Sequence, residues 1–150
     1  MIKPGHRQNG TPMNTTRRLL LAGGIANVCV GITHFLMPQD LATQHEFAAL
    51  SASGLSLLVL LILATGLCIT VFGSLCLFVA QAADIPQRVV GAIALSQSVL
   101  WLGRFLLELA LPVTIPLAGI GNPTVFVLPL ALTLSTLFFA AYLTSKRASL

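Results

Sequence analysis

Apolar residues occupy this chain in four long blocks, with only short polar or proline-broken stretches between them. The blocks lack the strict alternation of half-buried strands, and their length exceeds that of an ordinary core helix. They predict helical spans at about residues 19–37, 53–81, 87–111 and 124–143. Each is close to or above the ~20 residues that an α-helix needs to cross a hydrocarbon core ~30 Å thick. The expected fold class is therefore all-α, a transmembrane four-helix bundle, with Pro38 stopping the first span and Pro129 near the start of the last.

The segments between and around the blocks punctuate the same plan. Residues 1–16, MIKPGHRQNGTPMNTT, are polar, aperiodic and broken by proline and glycine, which predicts a disordered tail; Met13 is a second candidate for the first residue. The helical domain then covers residues 17–145, and residues 146–150 form a C-terminal tail. PQDLATQHEFAALSA, residues 38–52, reads as a loop with a short interfacial helix, and ADIPQR as a tight turn. PVTIPLAGIGNP cannot stay helical, yet it is apolar enough to hug the membrane. TRRLLLAGG resembles a twin-arginine export signal. Its apolar stretch is long for a signal, however, His34 and Pro38 stand where small cleavage-site residues belong, and three more blocks follow.

Composition turns this pattern into a class. Of 150 residues 56% are hydrophobic and 8% charged, too few charges for the surface of a soluble domain. The mean hydropathy of +0.93 agrees, and the lipid bilayer is the expected surrounding. The net charge of +4 does not indicate nucleic acid, because the basic residues cluster at chain ends without aromatic interleaving. Instead, Lys3, Arg7, Arg17, Arg18, Arg88, Lys146 and Arg147 fall on one side of a four-span arrangement. That bias predicts both termini in the cytoplasm of a bacterium, the chain crossing its inner membrane, and the loop with Asp40 and Glu46 outside.

Candidate chemistry is confined to a few polar residues at depth. Gln97, Trp101, Arg104 and Glu108 recur at four, three and four along one face of the third span, so Arg104 and Glu108 can pair. Gly24, Asn27, Gly31 and His34 make a second stripe on the first span, suited to close helix contact. Charges in a bilayer cost several kcal/mol (~2.5–3.5 on insertion scales), so both stripes should face protein or a wet cavity. If they meet, His34, Arg104 and Glu108 form an outward-facing cluster, with Asn27 and Gln97 deeper and Asp40 or Glu46 capping it. Two readings stand side by side: an internal clamp with snorkelling stems, and a site for an anionic ligand. Gly66, Thr70, Gly73 and Ser74 form a packing patch on the second span. Cys29, Cys68 and Cys76 have neither CxxC spacing nor histidine partners, and no metal, nucleophile or phosphate-loop motif appears.

GITHFLMP, SLCLFVAQ and VLWLGRFLLELALPV together resemble a group of small uncharacterised bacterial four-span membrane proteins over roughly residues 18–143. The group shares an H-F-x-x-P element, matched by His34, Phe35 and Pro38, and a W-x-x-R element, matched by Trp101 and Arg104. The chain is more distantly similar to DoxX-like four-helix proteins, some of which are subunits of quinone-linked oxidoreductases. That likeness is one of architecture and transfers no redox residue.

With no catalytic set or cofactor motif legible, the expected role is non-enzymatic. A small-ligand binder for an amphiphilic or anionic molecule, or an accessory subunit joined to a membrane partner protein or to its own copies, fits best. The alternative is a subunit of a quinone-linked redox or lipid-modifying membrane enzyme. Topology is open to direct measurement: reporters fused within residues 38–50 and at the C-terminus should report opposite sides of the membrane, and matching sidedness would refute the arrangement.

Overall fold

The computed structural model describes residues 15–41, 47, 50–112 and 122–147. It contains four α-helices: α1 (Thr15–Leu41), α2 (Ala52–Gln81), α3 (Gln87–Ala110) and α4 (Thr124–Arg147). All four are long and apolar enough to cross a membrane, and the shortest have 24 residues, or roughly 36 Å at 1.5 Å per residue. Local chemistry sets several of their ends. Ser51 Oγ accepts from the Gly54 amide at 3.1 Å to cap α2. Pro86 starts α3, where a missing N–H costs nothing, and Asn122 Oδ1 caps α4 by accepting from the Thr124 amide at 3.0 Å.

The helices run up and down in a ring. α1 packs on α2 and α3 on α4, α1 against α4 joins the two hairpins, and among these neighbours in the ring α2 touches α3 least. Antiparallel register shows in the pairs: Gly24 meets Gly73 while Gly31 meets Gly66, and Thr16 bonds Thr144 while Gly23 meets Phe138. α1 and α3 therefore lie across the diagonal and run in the same direction.

Without water to drive helices together, contact between spans depends on close packing and interhelical hydrogen bonds. The α1–α2 seam is the tightest. A Cβ placed on Gly31 would come within 2.9 Å of the Gly66 carbonyl oxygen and would collide with Thr70 Oγ1. One on Gly73 would lie 2.8 Å from the Val28 nitrogen. The α3–α4 seam uses hydroxyls instead: Ser98 Oγ donates to the Ser135 carbonyl at 3.0 Å, and Ser135 Oγ donates back to the Ser98 carbonyl at 3.1 Å.

Packing is uneven along the bundle. Leu20, Cys76, Val79, Ala80, Val90, Ala94, Leu134, Phe138 and Ala141 make a closed core toward the end where α1 and α3 begin. Toward the other end, no residue of α1 from Ile32 to Gln39 and none of α2 from Ala52 to Thr65 is buried. The α1–α2 hairpin is therefore buried toward one end and exposed toward the other, while α3 and α4 keep Glu108 and Pro123 buried at that second end.

Several boundaries differ from expectation. Pro38 does not stop α1, which continues to Leu41; the proline removes only the bond to the His34 carbonyl, a loss that a helix close to its end can tolerate. α1 begins at Thr15, so the last two residues assigned to the tail are helical, and α4 runs to Arg147, so the first two residues assigned to the C-terminal tail are helical as well. The interfacial helix expected in residues 38–52 falls largely, and the membrane-hugging loop almost wholly, outside the described residues.

The glycine seam makes a contrast that can be measured. Gly31→Ala should destabilise the detergent-solubilised protein by about 1–3 kcal/mol, the usual cost of overpacking. Gly103→Ala, whose Cβ would meet nothing within 4 Å, should leave stability unchanged or raise it by up to ~1 kcal/mol, the helix-propensity gain of alanine over glycine. Equal effects in an equilibrium unfolding assay would contradict the seam.

Candidate functional site

The interior polar residues form two bonded groups. The deeper one spans the diagonal: Asn27 Nδ2 donates to Gln97 Oε1 at 2.7 Å, and the Trp101 indole Nε1 donates to Asn27 Oδ1 at 2.9 Å. All three side chains are buried. A carboxamide has both donor and acceptor, so Asn27 can take a bond from one α3 residue and give one to another a turn away. Such interhelical bonds contribute about 0.6–2 kcal/mol each. The two sequence stripes meet here, at Asn27, Gln97 and Trp101.

The second group lies toward the end where the α1–α2 hairpin is exposed. Arg104 Nη2 is 2.6 Å from Glu108 Oε2, one turn on along α3. Glu108 Oε1 accepts from Thr124 Oγ1 at 2.6 Å. The pair is lopsided, since the Glu108 side chain is 0% exposed and that of Arg104 is 41% exposed. Glu108 also sits against the first turn of α4, where the unpaired amides of a helix start favour negative charge. A buried carboxylate thus ties the end of α3 to the beginning of α4, and Arg104 supplies its countercharge from the partly open side.

His34 is half-buried, and its Nδ1 is 2.8 Å from the Val30 carbonyl on its own helix, a contact in which the ring nitrogen donates. Its Cβ lies over Gly66 of α2. Asn27 is level with Gln97 and Trp101, and α1 and α3 run parallel, so seven residues, or roughly 10 Å of helix, bring His34 level with Arg104. The bonds of His34 and of Arg104 nevertheless run separately. The side chain of Asp40 and the whole of Glu46, expected as caps, lie outside what is described.

Two participants were missed in the sequence. Thr124 is one; the Asn-Pro pair before it marks a helix start, and a carboxylate near the end of the preceding helix could have been matched to it. Arg17 is the other. Read as an orientation signal only, it is buried and donates to the carbonyls of Val79 at 3.2 Å, Ala80 at 3.5 Å, Ala82, Ala83 at 3.3 Å and Ile85 at 3.1 Å. These are the last carbonyls of α2 and those of the following turn, groups that a helix leaves unpaired and that attract a cation. Arg18, Arg88, Lys146 and Arg147 stay exposed at that same end, with Lys146 Nζ 5.5 Å from the centroid of the Tyr142 ring.

Among the described residues no group of three or more histidine, cysteine or acidic side chains is placed to hold a metal ion, and the three cysteines are free thiols. The class is thus an all-α bundle of four helices able to cross a membrane, with polar residues bonded across helices in its interior. No family model, curated protein or solved structure matches the chain.

The lopsided ion pair has a clear mutational signature. Arg104→Met leaves a buried carboxylate without its countercharge and should cost about 3–5 kcal/mol, while adding Glu108→Leu should recover most of that loss. Unfolding curves of the two single mutants and the double mutant give the coupling; strict additivity would mean that the pair does not hold the helices.

Proposed function

We propose that the protein is a multi-pass protein of the bacterial inner membrane, with both termini cytoplasmic, and that it acts without catalysis as a binder of a small amphiphilic or anionic ligand. Orientation rests on charge: Arg18, Arg88, Lys146 and Arg147 crowd the end where α1 and α3 begin, and the opposite end contributes only Arg104 among the described basic residues. Binding rests on one observation. A guanidinium carries five N–H donors, and among the described residues Arg104 is joined only to Glu108, with its side chain 41% exposed at the end where the α1–α2 hairpin is exposed. The deeper polar groups bond to one another and hold helices together, which leaves Arg104 as the group able to recognise a carboxylate or phosphate. His34, at the same level, would complete an outward-facing cluster with Arg104 and Glu108.

A second reading, an accessory subunit bound to a membrane partner or to its own copies, is favoured by α2. Leu57, Leu60, Leu61, Leu67 and Val71 are all exposed along it, and its hydrophobic window is the least buried of the four. Native mass spectrometry of protein purified in mild detergent separates the two. The binder reading expects a small molecule at a fixed ratio, absent from the Arg104→Met, Glu108→Leu double mutant. A copurifying protein subunit without such a molecule would support the second reading, and neither would defeat both.

A further inference from the structure

The surroundings of Arg104 narrow the class of ligand. On a helix of 3.6 residues per turn, Arg104 is rotated by roughly 120° from Ser98, the residue that faces α4. The two neighbours of α3 in the ring are α4 and α2, so Arg104 lies on the flank toward α2. Leu100 and Leu107 share that flank by their spacing of four and three, and they are 40% and 57% exposed.

On α2, Gly66 and Gly73 face α1, and about a quarter-turn round, on the side of the buried Cys76 and Val79, a second stripe lies toward α3. Cys76, near the connecting turn, is 0% exposed, Phe72 is 40% exposed and Leu61 is 57% exposed. These residues and Thr65 recur at four, seven and four on one face, and the antiparallel register set by the turn brings Thr65 level with Arg104. Exposure along this stripe rises from 0% at Cys76 to 57% at Leu61, so among the described residues the α2–α3 seam is closed near the turn and lined by exposed apolar side chains beyond it, with Arg104 on its α3 wall.

We infer that this seam is a site for one anionic phospholipid: its phosphodiester takes the edge of the Arg104 guanidinium that Glu108 leaves open, and an acyl chain runs from it along Leu100 of α3 and Phe72 of α2, toward the end where α3 begins. The inference rests on the ligand-binding reading above. Glu108 engages Nη2 from a fully buried position and spends its second oxygen on Thr124, so it fixes the fork without covering its other edge. A planar guanidinium matches a phosphate through paired N–H bonds. The arginine lies six residues, or roughly 9 Å, inside the last residue of α3, a depth that a headgroup drawn inward from the leaflet surface can reach.

The test uses the full chain in nanodiscs of equimolar phosphatidylglycerol and phosphatidylcholine, followed by release into the gas phase and counting of retained lipids. The wild type should retain phosphatidylglycerol over phosphatidylcholine by about tenfold, because both carry the phosphodiester but the choline ammonium neutralises its own phosphate and is repelled by Arg104, a difference of roughly one charge-assisted bond. Arg104→Gln should abolish that preference. Thr65→Trp, at an exposed position where the bundle should fold unchanged, should block the seam and cut retention with Arg104 in place. Equal retention of the two lipids by the wild type, or retention unaffected by Thr65→Trp, overturns the proposal. If a non-phospholipid amphiphile copurifies and is lost with Arg104, ligand binding stands and the phospholipid assignment falls.

Discussion

Asn27 is the hinge of the architecture. Its carboxamide reaches across the bundle diagonal to Gln97 and Trp101, and with the Thr16–Thr144 bond it joins the α1–α2 hairpin to the α3–α4 hairpin. In hydrocarbon an unbonded amide or indole N–H is costly, so the three side chains restrict how one hairpin can rotate or slide against the other. The glycine seam depends on the same residue, since the Cβ of Asn27 lies against Gly73. Moving α1 enough to widen that seam would pull its amide away from α3.

Two buried charges secure opposite ends by the same device, a side chain set against a helix terminus of opposite sign. Arg17 gathers the last carbonyls of α2 and the turn beyond it, and Glu108 meets the first turn of α4. Both act on connections between helices, where backbone groups lack intrahelical partners. They differ in solvation: Arg17 is enclosed by carbonyls, whereas the countercharge of Glu108 is left partly open. A purely structural clamp has no need of that opening, and the functional proposal is built on it.

Uneven packing follows from where small residues fall. Glycines at 24, 31, 66 and 73 draw α1 and α2 together near mid-length and toward the end where α1 begins, and serines at 98 and 135 join α3 and α4 at mid-length. α2 carries large aliphatic side chains toward its start and little to hydrogen-bond across helices there, so it stays apart from α3 and exposes its flank.

Hydropathy alone determined that this chain makes four helices able to span a membrane, because the length of an apolar block is a local property measured against a fixed hydrocarbon thickness. Periodicity determined which polar residues share a face, and the pairing of Arg104 with Glu108 was legible because four residues make about one helical turn. Helix ends were less legible: proline at 38 is a local stop signal, yet α1 runs three residues past it at the loss of one hydrogen bond. Only the tertiary structure decided the partners. Which stripe meets which, that Asn27 rather than His34 bridges to α3, that Thr124 completes Glu108, and that Arg17 is caged rather than free all depend on residues 16 to 74 positions apart. A helix constrains its own neighbours at three and four residues, and it carries no local record of which other helix will lie against it.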